Sequence, residues 1–238
     1  MVGTGTLINV AAIVAGGLIG LAGKKRMNDR LQETMMKATG ICTMFIGIAG
    51  TLEKMLTVTD GTVSSQGSLM IIASFALGSL VGEGLNIEQA IERFGEWIKR
   101  RSGNGDDASF VNAFVTASFT VCIGAMAIVG SIQDGIQGDP TTLMMKAILD
   151  FLIIMVMTAS LGKGCIFSAI PVGIFQGTIT LLASVLAPLM TEGTLNSISL
   201  VGSMLIFCVG VNLVWERKLK VANMLPAIVV AAVWGALV

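Results

Sequence analysis

Residues 4–23 read TGTLINVAAIVAGGLIGLAG, and Lys24, Lys25 and Arg26 follow at once. A helix of about 20 mostly apolar residues matches the roughly 30 Å hydrocarbon core of a bilayer. A secretory signal would carry its basic residues first and a small-residue cleavage site after. Here no Lys or Arg precedes the run, so it reads as a retained span with its N-terminus outside. Further apolar stretches follow at about 38–56, 68–84, 110–132, 142–161, 165–190, 198–214 and 222–238. The expectation is an all-α polytopic transmembrane bundle of about eight spans, a single integral membrane domain over residues 1–238.

Composition supports that class. The 238-residue chain is 54% hydrophobic and 13% charged, with mean hydropathy +0.84, whereas a soluble domain carries roughly 25% charged residues. Histidine is absent, which removes the usual general base, the triads that depend on one, and the commonest metal ligand. No G-x-S-x-G is present. Cys42, Cys122, Cys165 and Cys208 are scattered singly through apolar stretches with no C-x-x-C pair, so neither a zinc site nor a disulfide framework is indicated. Zero net charge gives no basic footprint for nucleic acid. The chain therefore reads as a non-enzyme without cofactor or metal, whose partners are the lipid bilayer and an unidentified small solute or ion.

Charge sets the orientation. With the N-terminus outside, the inner segments hold Lys24, Lys25, Arg26, Arg30, Lys37, Arg93, Lys99, Arg100, Arg101, Lys163, Arg217, Lys218 and Lys220, leaving only Lys54 and Lys146 elsewhere. That asymmetry is the positive-inside pattern, and it places both termini outside. The outer connections are Thr/Ser/Gly-rich with acids, around Asp60, from Asp134 to Pro140, and around Glu192. On the inner side Ile87, Ile91, Phe94 and Ile98 recur at spacings of three and four. This segment is either an amphipathic helix along the membrane surface with Trp97 as anchor, or a simple connector.

Two internal correspondences suggest tandem halves, about 1–107 and 133–238. At an offset of 132, Thr59, Gly61, Thr62, Ser65, Phe75 and Gly78 match Thr191, Gly193, Thr194, Ser197, Phe207 and Gly210. Ser168 to Pro171 and Asn223 to Pro226 sit just inside the inner ends of the sixth and eighth spans. Proline frees a carbonyl one turn earlier, and paired interruptions in two halves mark a central transporter site. Two ordinary proline kinks are the other reading. The G-x-x-x-G pairs Gly16/Gly20, Gly78/Gly82 and Gly173/Gly177 argue close helix packing, and glycine-rich faces admit a homo-oligomer.

Gly5-Thr6-Leu7-Ile8-Asn9 leading to Gly16-Gly17-Leu18-Ile19-Gly20, the run from Gly124 through Gly135 to Gly138-Asp139, and Phe167 to Pro171 followed by Gln176-Gly177 resemble the prokaryotic membrane family of YdfK/YqgA-like proteins. The resemblance covers essentially the whole chain. It departs at Ala125, where proline is expected, and at Phe151, where glycine is usual. It implies a bacterial or archaeal cytoplasmic (inner) membrane and imports no activity.

Asp150 lies near the middle of the fifth span, where a carboxylate costs on the order of 2.5–3.5 kcal/mol on insertion scales. Lys146 sits one turn earlier on the same face, so the pair is either a functional site or a neutralised packing pair. Gln133 and Asp134 close the fourth span, where Asp134-Gly135 and Gly138-Asp139-Pro140 also read as turns. Asn112, Thr116, Thr120 and Gly124 form a polar stripe, either a solute path or helix packing. Asn9 and Gln176 are buried amides that serve as interhelical glue or as ligands. The leading reading is a small secondary transporter or channel-like permease with its path between the two halves. Asp150 would bind a cation or proton. Gln176 and carbonyls freed by Pro171 and Pro226, with Ser168 and Asn223 beside them, would coordinate solute, and Asp134 would form the outer mouth. The alternative is a non-transporting scaffold or lipid-interacting protein acting through Glu92, Arg100 and Arg101.

Overall fold

The first apolar run forms α1 (Thr4–Lys24). The computed structural model describes all residues except 25–27, 60, 123–124, 216–218 and 238. Lys25, Arg26, Asp60, Gly124, Arg217 and Lys218 of the sequence reading thus lie outside the described residues. α2 (Asp29–Met55) begins well before its apolar stretch, because Asn28 caps it by accepting the Leu31 N–H at 2.9 Å and the polar first turns stay helical.

A β-hairpin, β1 (Leu56–Thr59) paired antiparallel with β2 (Thr62–Ser65), connects α2 to α3 (Ser68–Leu85). It is an addition to the all-α expectation. Asp-Gly between β-branched residues is a strong hairpin signal, and Gly61 takes the positive φ of 76° that the turn requires. α4 (Ile87–Arg101) follows directly, the chain reversing at Asn86 in the left-handed region. Its apolar stripe is docked: Ile98 is buried, and Phe94 meets Phe114 edge-on at 6.0 Å.

The fourth stretch is not one helix. α5 (Phe110–Cys122) and α6 (Ala125–Gln137) meet at a bend of 63°. α7 (Thr141–Leu161) is continuous. A 3-10 turn (Lys163–Ser168) leads into α8 (Ala169–Leu181), then come the short α9 (Ala183–Leu186) and a second 3-10 turn (Ala187–Leu189). α10 (Glu192–Trp215), α11 (Val221–Met224) and α12 (Pro226–Leu237) complete the described chain.

Among the described residues six helical segments are long and apolar enough to cross a bilayer, and the bent α5–α6 pair would make seven. The last apolar stretch, Val221–Leu237, is shorter. The residues matched at an offset of 132 do not all share secondary structure. Thr62 and Ser65 are in β2, whereas Thr194 and Ser197 are in α10; Phe75, Gly78, Phe207 and Gly210 are all helical. Nor do the prolines kink their spans. Pro171 and Pro226 lie in the first turns of α8 and α12, where a missing N–H is harmless.

The helices pair through glycines. α1 crosses α7 so closely that a Cβ on Gly16 would lie 2.4 Å from the Phe151 carbonyl oxygen, and one on Gly20 2.2 Å from that of Met155. α3 crosses α11 and α12 in the same way at Gly78 and Gly82. Gly177 faces open space, so the third G-x-x-x-G pair is not a packing motif. The apolar core runs through Ile13, Phe110, Phe114, Ile154, Met157 and Leu205, while Phe45, Ile72, Ile148 and Val229 stay exposed on the outside, as lipid-facing side chains do.

Gly20→Val is expected to destabilise the purified protein by about 1–3 kcal/mol or more through overpacking, read as a lower thermal midpoint in detergent. Gly177→Ala is expected to leave that midpoint unchanged or slightly raised.

Candidate functional site

α7 carries Lys146 and Asp150 one helical turn apart, hence on one face. Both are buried, at 6% and 3% exposure. The Lys146 ammonium donates to Asp150 Oδ2 and also to the Val121 carbonyl, the latter at 2.8 Å. Val121 lies at the C-terminal end of α5, where the last carbonyls have no partner in their own helix and carry partial negative charge. The break between α5 and α6 thus supplies the ammonium with a second acceptor in the interior.

α1 delivers Asn9 to the same place. Asn9 Nδ2 donates to Asp150 Oδ2 at 2.9 Å and to Gln176 Oε1 at 3.3 Å, and both amide side chains are fully buried. The close approach of α1 to α7 at Gly16 and Gly20 makes this reach possible. Asn9 Oδ1 and Gln176 Nε2 have no hydrogen-bond partner among the described residues. Buried polar groups left so are uncommon and mark a functional or hydrated position.

Asp134 belongs to the same group of helices. It is fully buried in α6, not exposed at an outer mouth, and its Oδ2 accepts the Gly5 N–H of α1 at 3.0 Å. α6 continues through Asp134 and Gly135 to Gln137, so the Asp-Gly pair makes no turn; the chain leaves the helix at Gly138, with φ 66°. Asp139 does play the turn role. Its Oδ1 accepts from the Thr141 N–H at 3.0 Å and hydroxyl at 2.6 Å, and these bonds hold its carboxyl below the usual carboxylate range.

The structure brings together Asn9, Lys146, Asp150 and Gln176, and links Asp134 to α1 beside them. It places the other residues of the sequence reading elsewhere. Gln133 Oε1 accepts the Thr142 hydroxyl at 2.7 Å and ties α6 to α7. Ser168 donates to the Cys165 carbonyl at 2.7 Å within the 3-10 turn. Asn112 is exposed, and the stripe bonds along its own helix, Thr116 to Asn112 and Thr120 to the Thr116 carbonyl. Asn223 joins the C-terminal end of α3 to the start of α4 and to α11. It donates to Glu83 at 2.6 Å and accepts the Glu88 N–H at 2.7 Å, while Lys220 pairs with Glu83 at 2.7 Å.

The carbonyls opposite the prolines are already engaged. The Ala222 oxygen accepts the Leu225 N–H at 3.1 Å, and that of Phe167 accepts from Ala169. Tight 3-10 bonding at each helix start replaces the donor that proline lacks. Pro171 instead faces an apolar cleft of about 700 Å³ with Phe94, Phe175, Ile198, Leu225 and Val229. The polar cluster therefore lies within α1, α6, α7 and α8, and the cleft at Pro171 is apolar.

Sequence reasoning missed Thr6, Ser131 and Thr180, all buried and with hydroxyls that find no partner among the described residues. A signal was present. Thr6/Asn9, Ser131/Asp134, Lys146/Asp150 and Gln176/Thr180 are each three or four residues apart, so every one of the four helices carries a polar pair on one face.

These features define a largely α-helical membrane protein with a buried ionisable pair among its apolar helices. The chain belongs to the family described as protein of unknown function (DUF554), which matches residues 4–236. It is similar to the uncharacterized membrane protein YdfK of Bacillus subtilis (strain 168), 29% identical over 229 residues, covering 96% of this chain and 94% of the relative. It is also similar to the uncharacterized protein YqgA of Escherichia coli (strain K12), 28% identical over 240 residues, covering 98% and 97%. This is the family that the Gly5–Gly20 and Gly124–Asp139 segments resemble. No solved structure matches the chain.

Lys146→Met or Asp150→Leu alone should each cost about 3–5 kcal/mol, because each strands a buried charge. The double variant should recover most of that loss. Unfolding of the detergent-solubilised variants by denaturant titration measures both.

Proposed function

We propose that the protein is a small permease of the prokaryotic cytoplasmic membrane, a secondary transporter or channel-like protein moving a small solute or ion. The observation that carries this reading is the chain of buried, incompletely bonded polar groups from Asp134 to the Lys146–Asp150 pair. Such groups within membrane spans mark substrate and ion pathways by default. The near-complete basic asymmetry supports eight spans with both termini outside, the last being the short α11–α12 segment. Each proline-bearing span opens on a short turn of its own, Lys163–Ser168 before α8 and Val221–Met224 before α12, and this likeness favours the tandem halves.

Asp150 is the central ligand in this mechanism and Lys146 its resident counter-cation. An arriving cation or proton on Asp150 releases the ammonium, which keeps its bond to the Val121 carbonyl at the end of α5. Helix ends of discontinuous spans play this part in known transporter plans. Asn9 and Gln176 present their free amide atoms to the solute. The path runs inside α1, α6, α7 and α8, and access alternates as α1 and α8 shift against α7. The chain acts without cofactor or catalytic step, with lipid as its partner.

The scaffold reading has one observation of its own: Trp97 is half exposed on α4, with the Arg101 guanidinium 6.0 Å from its ring. Proteoliposome flux separates the two. Across a panel of alkali cations, protons and small organic ions, Asp150→Asn and Gln176→Leu are expected to reduce uptake at least roughly tenfold, with Asn112→Ala unaffected. Equal behaviour of Asp150→Asn and the native chain would favour the scaffold reading.

A further inference from the structure

Asp134 poses a charge problem of its own. Its Oδ2 accepts the Gly5 N–H, its Oδ1 is buried without a partner, and among the described residues no Lys or Arg bonds to it. An ionised carboxylate that deep needs a counter-charge.

Leu143 of α7 packs beside the carboxylate against Gly5, and the polar side chains that α1, α6 and α8 carry at this level are hydroxyls. Thr6 follows Gly5 on α1, and Ser131 sits one turn before Asp134 and Gly135 on α6. Thr180 comes from α8, where its carbonyl would lie 2.5 Å from a Cβ on Gly135. The hydroxyls of Thr6, Ser131 and Thr180 are each buried without a partner. A carboxylate with hydroxyls is a hard donor set, suited to alkali or alkaline-earth ions and not to the softer transition metals. One formal charge balances a monovalent ion, whereas a divalent ion would leave a positive charge buried.

We infer that Asp134, Thr6, Ser131 and Thr180 form a binding site for a monovalent alkali cation, between α1, α6 and α8 on the outer side of the Lys146–Asp150 pair. This deepens the permease reading and rests on it for the route the ion takes. The site lies on the way to Asp150. Thr6 is one turn outward from Asn9, and Thr180 one turn outward from Gln176, about 5 Å each along their helices. A cation held here lies outward of the ammonium of Lys146, which repels it and holds it at the outer position until Asp150 exchanges its partner.

Thermal unfolding of the purified full-length protein tests the site without any transport assay. Midpoints are compared in NaCl, KCl and choline chloride at equal ionic strength and fixed pH. A saturable rise of roughly 5 °C in an alkali salt and none in choline is expected, since a ligand of the folded state raises its stability. Asp134→Asn, close in shape and uncharged, should fold and lose the rise; Thr180→Val should weaken it. Asp150→Asn should keep it while losing flux, so failure of the site and failure of the permease reading are told apart. Equal midpoints in all three salts overturn the inference, as does an alkali effect that survives Asp134→Asn.

Discussion

The arrangement turns on a lysine and an aspartate one turn apart in the apolar interior. Lys146 and Asp150 neutralise each other, but two charges in a low-dielectric interior still need their remaining hydrogen bonds filled. The rest of the site answers that demand. α5 must stop so that the Val121 carbonyl is free for the ammonium. α1 must lie close enough to α7 for Asn9 to reach the carboxylate, which only glycine at 16 and 20 permits. α8 must then turn Gln176 toward Asn9. Backbone break, glycine crossing and buried amide are three consequences of one ion pair.

Much of this was legible in the sequence, for reasons that can be named. Apolar runs of bilayer length gave the helices, and the one-turn spacing of Lys146 and Asp150 gave their pairing. Asn9 and Gln176 stood out as single amides in apolar spans. The break at α5–α6 was hidden because no proline marks it: Ala125 stands where the family resemblance leads one to expect one. Asp134 was obscured by its neighbour. Asp-Gly is common in turns, yet here Gly135 lets α8 approach, since a Cβ would meet Ala183 and the Thr180 carbonyl at 2.5 Å. Thr6, Ser131 and Thr180 were invisible singly, because threonine and serine in apolar helices usually bond their own backbone. They gain meaning only when the partner helices are in place.

The two kinds of interior serve different ends. Around Asn223 every side-chain polar group described finds a partner, and α3, α4 and α11 are locked together. Among α1, α6, α7 and α8 several are left over. A fully bonded network stiffens a joint, whereas an incompletely bonded one holds room for a guest. The apolar cleft at Pro171 lies apart from these groups, lined by Phe94, Phe175, Ile198, Leu225 and Val229.

The local character of the Lys146–Asp150 pair bears on biogenesis. Each charge alone would burden the entry of α7 into the bilayer by about 2.5–3.5 kcal/mol. Four residues apart on one helix, they meet as soon as that helix forms, before α1, α5 or α8 has docked. The span reaches the membrane already carrying its counter-ion, and assembly of the bundle has only to reorient a pair that insertion has admitted as neutral.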